Sequence, residues 1–131
     1  MIKYHTSFTE NYGLGYGISS KAHVSSEKIR KFLKTLNPKH VQSEKGDLKR
    51  EKFGFGSQII DKCTDKYLYE FKTGCVEVIE KYSDDCTICQ GEAEGTKTID
   101  ISVMLLGIPE RSKLETAIKS AMKEMKLKEK K

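Results

Sequence analysis

The sequence contains no tryptophan and only two prolines, and no apolar run approaches the roughly 18 residues that a bilayer-spanning helix needs. Its first residues, Met1-Ile2-Lys3-Tyr4-His5, lack the apolar core of a secretion signal, so a cytoplasmic chain without membrane contact is expected. There is no Asn-x-Ser/Thr acceptor site. Catalytic signatures are scarce as well. His5, His23 and His40 stand alone: none opens a His-x-Glu or His-Glu-x-x-His pattern, and no nucleophile elbow is present. Gly13-x-Gly15-x-Gly17 has the wrong spacing for a dinucleotide loop and lacks the Gly-Lys-Ser/Thr of a phosphate loop. That leaves a turn or a kinked strand, whose Tyr12 and Tyr16 either pack or stack on bases. Acidic residues between Asp61 and Asp85 alternate as on a water-facing hairpin and make no catalytic constellation. The expectation is a protein that is not an enzyme.

What the chain does have is charge. Hydrophobic residues make up 37% and charged residues 33% of the 131 positions, the balance of one globular domain (1–131) with a heavily charged surface. The net charge of +5 is unevenly placed. Residues 21–52 hold ten Lys/Arg against four Asp/Glu, residues 61–100 five against ten, and residues 110–131 eight against four. Basic flanks around an acidic middle attract polyanions, or merely keep the surface solvated.

Periodicity gives an α+β fold in the order β-α-β-β-β-α, a small antiparallel sheet with two amphipathic helices packed on it. Ile2 to Phe8 alternates as a first strand. Ile29, Phe32, Leu33 and Leu36 make one buried face of a helix capped at Ser25 or Ser26 and stopped by Asn37-Pro38. Residues 39–52 are polar and read as a flexible loop. Phe53-Gly54-Phe55-Gly56 opens a short strand through Ile60. Tyr67–Phe71 and Cys75–Tyr82 flank Lys72-Thr73-Gly74 as a hairpin with Gly74 at a positive φ. Ser83–Thr96 is a cysteine-bearing loop, and Thr98–Leu106 a central strand. Ser112 and Glu115 form a capping box for a last helix, whose stripe is Leu114, Ala117, Ile118, Ala121, Met122 and Met125. Residues 127–131 are expected to fray.

The four cysteines are Cys63, Cys75, Cys86 and Cys89. Cys86-x-x-Cys89 followed by Gly91 resembles half a zinc knuckle, in which two thiolates reach one tetrahedral ion. With Lys72-Thr73-Gly74 as a turn, Cys75 sits about 20 Å from the other three, the length of a seven-residue strand. Cys63, Cys86 and Cys89 are therefore the expected ligands of a structural zinc, with Cys75, His23 or His40 as the fourth. Disulfides from Cys63 to Cys86 or Cys89 are the alternative, and buried free thiols a third reading. Asp84 and Asp85 disfavour a thiolate at Cys86, which counts against a C-x-x-C oxidoreductase.

Richness in Lys and Glu, two prolines, no tryptophan and the end Lys126-Leu127-Lys128-Glu129-Lys130-Lys131 give a composition that resembles small proteins of hyperthermophilic archaeal viruses. The resemblance implies a viral protein in a host cytoplasm, and it is what raises the disulfide alternative. Function is read from the cations. Arg30, Lys31 and Lys34 lie on the polar helix face, and Lys45, Lys49, Arg50 and Lys52 follow it. Together they point to a metal-stabilised protein that binds DNA or RNA through phosphate contacts. A non-catalytic interaction or inhibitor module acting on a host protein is the alternative.

Overall fold

The computed structural model describes residues 2–12, 21–89 and 92–130. The described residues form β1 (Ile2–Tyr12), α1 (Lys21–Thr35), β2 (His40–Lys45), β3 (Lys49–Phe53), β4 (Gln58–Glu70), β5 (Cys75–Cys89), β6 (Glu92–Leu106), α2 (Lys113–Glu124) and β7 (Lys128–Lys130). A 3-10 turn, Gly54–Gly56, joins β3 to β4. The strands make one antiparallel sheet in the order β2-β4-β5-β6-β1-β7, and β3 lies end to end with β2 along the same edge of β4.

The register explains the core. Tyr67, Val78, Val103 and Tyr4 fall in one cross-strand row, and Tyr69, Val76 and Leu105 in the next. All are buried. A slip of one residue would turn this whole set to the other face, so the aliphatic alternation fixes the pairing. Onto these rows α1 lays Ile29 and Leu33, and α2 lays Ile118, Ala121 and Met122. The Ser112 hydroxyl accepts the Glu115 N–H at 3.2 Å and starts α2. Past the end of α1, Asn37 takes a left-handed φ of 56° just before Pro38. Further along, the helix-side face changes character: Cys63 and Tyr82, then Asp61 and Asp84, continue the alternation of β4 and β5.

The expected β-α-β-β-β-α order and small sheet are overturned by these seven strands. Residues 39–52 are not a loop. They supply β2 and β3, whose residues are exposed throughout and carry no burial period to be read; backbone pairing to β4 makes them strands. Ser83–Thr96 is not a cysteine-bearing loop either. Asp84, Asp85 and Gly95 favour turns, but β4 pairs with β5 as far as Thr87 and β6 as far as Cys89, which holds it extended. At the C-terminus, where fraying was expected, Leu127 is buried and Lys128–Lys130 pairs with β1.

Gly74 is needed for a different reason from the one its sequence suggests. Its φ is not positive. A Cβ there would meet the Leu106 carbonyl oxygen at 2.5 Å and the Gly107 carbonyl carbon at 2.7 Å, so the β4–β5 turn can sit against the end of β6 only without a side chain. The glycines at 13, 15 and 17 and Tyr16 lie outside the described residues, as does the Tyr12 side chain. Among the described residues no helix is long and apolar enough to cross a membrane.

Candidate functional site

The helix signal and the edge strand together build a cleft. Ile29 and Leu33 anchor α1 to the sheet, and the 3.6-residue period then turns Arg30, Lys31 and Lys34 toward its flank. On the other side, Val41 and Ser43 of β2 stand opposite Tyr69 and Tyr67 of β4. The space between is a cavity of about 360 Å³ lined by these residues and Glu27.

Its floor is fixed. The Arg30 guanidinium lies 4.7 Å from the centre of the Tyr67 ring, and its Nε is 3.2 Å from Glu80 Oε1. Both contacts are partly shielded from water, which strengthens them relative to a surface pair. Burial pushes the Tyr67 and Tyr69 phenols above their ordinary pKa, so both stay neutral. Arg30 is held as part of the wall, whereas Lys31 and Lys34 are exposed at the mouth.

The remaining cations extend this site along the sheet edge. Strand alternation puts Lys45 on the same side as Val41 and Ser43. Arg50 is on that side too, since it grips Asp61 with two bonds, Nε to Oδ1 at 2.7 Å and Nη2 to Oδ2 at 2.9 Å. Lys52 shares its parity, and Lys49 falls on the other face. The hydrogen bond from Arg50 holds the Asp61 carboxyl below its usual pKa, so the pair persists at neutral pH and is lost only as pH falls through that depressed value. Opposite Tyr67, Asp65, Asp61 and Ile59 in turn, Ser43, Lys45, Arg50 and Lys52 span Ile59 to Tyr67 of β4, or roughly 26 Å. Among the described residues Lys31, Lys34, Lys45, Lys49 and Lys52 have no carboxylate within ion-pair reach.

The cysteines are distributed differently. Cys63 lies opposite Tyr82, and Cys86 opposite Ile59. They share a face but stand four residues apart along the strands, about 13 Å, and Cys86 and Cys89 lie about 10 Å apart at their Cα atoms in the extended β5. Cys75 pairs with Glu70 at the other end of β5, and His23 belongs to α1 and His40 to β2. Cys63 and Cys86 are not brought together, the Cys89 side chain lies outside the described residues, and the described residues hold no cluster of three or more His, Cys, Asp or Glu suited to a metal. Burial, followed by nearby carboxylates, pushes the Cys63 and Cys75 thiols up. Both are expected to alkylate more slowly in the folded protein than in urea at neutral pH, and to gain rate only at a pH above that of a free cysteine. Peptide mapping after timed iodoacetamide treatment checks this; equal folded and unfolded rates would contradict it.

Two aromatic features escaped sequence reasoning. Tyr67 and Tyr69 alternate through β4 as any core strand does, and nothing local marks them as cleft walls. Phe53 is half exposed and Phe55 fully exposed around the Gly54–Gly56 turn. The Gly-Phe-Gly triplet directly after a basic run was the available signal.

The fold and site define an antiparallel sheet with one cationic edge and a helix laid over it. No protein-family model matches the sequence, and no curated protein matches it. Among solved structures, the Mll3558 protein from Rhizobium loti is similar at 10% identity and a TM-score of 0.28, over 94% of this chain and 93% of that one. That likeness is too weak to bear on fold or function.

Proposed function

We propose that this protein binds nucleic acid without catalysing a reaction on it, through the edge formed by α1, β2 and β3. One observation carries the reading: cations from three separate elements, Lys31 and Lys34, Lys45, and Lys52, fall along one side of one sheet edge. A solvating surface needs no such alignment. A chain of phosphates does, because each phosphate neutralised by a lysine releases condensed counterions and adds to affinity. Arg30 and Arg50 serve mainly as scaffold, since Glu80 and Asp61 already engage them. The acidic residues of β4 and β5 sit behind the line and turn the polyanion toward the edge.

Fluorescence anisotropy with a labelled oligonucleotide tests the reading. Binding is expected at low salt, with log K falling linearly in log salt. No binding at low salt would overturn it. The cysteine geometry lends no support to a metal-held loop, and the proposal stands on the edge alone.

A further inference from the structure

The turn between β3 and β4 is costly in two independent ways. Phe55 takes a left-handed backbone (φ 59°, ψ 29°) between two glycines that also have positive φ, 56° at Gly54 and 87° at Gly56. A bulky residue in that region is strained. Its ring is also fully exposed, at the tip of the hairpin. Neither feature helps the free protein fold.

The turn is nonetheless held in place. The Ser57 N–H and hydroxyl donate to the Gly54 carbonyl at 3.1 and 2.7 Å, and the Ile88 N–H donates to the Ser57 carbonyl at 2.7 Å, which ties the turn to β5. Strain kept by a well-bonded surround, with an aromatic ring presented outward, points to a contact made by that ring.

We propose that Phe55 stacks on an unpaired base of the bound strand, so that the cationic edge selects single-stranded over duplex nucleic acid. The inference rests on the nucleic-acid reading and specifies its ligand. Lys45 of β2 and then Lys52 of β3 precede Phe53, the last residue of β3, and lead the phosphate backbone up to the ring. In a duplex the bases are already stacked and paired, so the ring finds no partner without the cost of opening one. The surroundings disfavour a membrane as the occupant. Asp85 and Glu94 stand at this end of the sheet on its other face, where an anionic bilayer would meet them, and the cations run in a line away from the tip instead of encircling it.

The test uses the full chain and three variants, Phe55→Gly, Phe55→Tyr and Phe55→Trp, with a short single strand and the corresponding duplex. Glycine adopts the left-handed region freely, so Phe55→Gly is expected to melt no lower than the wild type. It is expected to bind the single strand on the order of tenfold more weakly, with duplex binding unchanged. Phe55→Tyr should retain the preference. Phe55→Trp introduces the only tryptophan of the chain, and its emission should be quenched by the single strand and not by the duplex. Full single-strand affinity in Phe55→Gly, or indole emission from Phe55→Trp that the single strand leaves unquenched, would overturn the stacking role while leaving the cationic edge in place. Wild-type protein that binds neither probe at low salt would overturn the underlying reading. Phe55-dependent sedimentation with anionic phospholipid vesicles, without a single-strand preference, would overturn the choice of ligand.

Discussion

Replacing Lys31, Lys34, Lys45 and Lys52 together by glutamine is expected to weaken binding of a labelled single strand roughly a hundredfold or more at 0.1 M salt. Each lysine that neutralises a phosphate on a single strand contributes about 0.7 to the slope of log K against log salt. Four such contacts add close to 3 to the slope, and at 0.1 M salt each is worth about 0.7 decade of affinity. The deficit should shrink toward zero near 1 M salt, which separates lost counterion release from damaged structure. The variant should also fold normally, because all four residues are exposed and substitutions of this kind stay within about 0.5 kcal/mol. Lysines on an edge strand have a second duty, keeping edges from pairing with each other. Size-exclusion chromatography of the variant therefore accompanies the titration. A monodisperse, folded variant with wild-type affinity would show that the line of cations is only a solvated surface.

Leu33→Ala is expected to cost about 3 kcal/mol of stability, within the usual range of 2–5 for a buried leucine. Leu33 is fully buried, in the core where α1 meets the sheet. The consequence reaches function because α1 carries one bank of the cleft. Loosening its anchor moves Arg30, Lys31 and Lys34 together, so single-strand affinity should fall alongside stability. Phe32→Ala, at a partly buried position on the same helix, should cost less and leave binding nearly intact. Urea denaturation read by circular dichroism, paired with the binding assay, checks both. A Leu33→Ala protein as stable as the wild type would mean that α1 is not held as described.

What could be read in the sequence follows from what each residue packs against. Ile29 and Leu33, and Ile118 with Met122, are legible because a buried helical face repeats every three or four residues. Ser112 and Glu115 are legible because capping is local chemistry. Val103 belongs to a β-branched run, which the central strand confirms. β2 and β3 were hidden for the opposite reason: an exposed edge strand leaves no alternation, and its identity lies in the backbone of β4. Asp84, Asp85 and Gly95 misled because local turn preference yields when a strand is paired on both sides. The same local preference makes Cys86 and Cys89 read as part of a loop. Cys86 and Cys89 have knuckle spacing only if they lie in a turn, and β5 is extended there.

The cations were legible one by one, but their alignment was not. Lys45 and Lys52 are separated in sequence by Gly46-Asp47-Leu48 and the start of β3, and only the end-to-end placement of β2 and β3 on β4 puts them on one line. Phe55 shows the converse case. Its neighbours Gly54 and Gly56 announced an unusual backbone, and reading them as the opening of a strand obscured it.

The most direct test of the central claim is an amide chemical-shift map of the labelled protein titrated with a short single-stranded oligonucleotide. Shifts are expected to concentrate in α1 near Lys31 and Lys34, in β2 and β3, and at the Gly54–Gly56 turn, with β7 and α2 unmoved. Shifts centred on the β1–β7 edge or on α2, or no shifts at low salt, would contradict the claim.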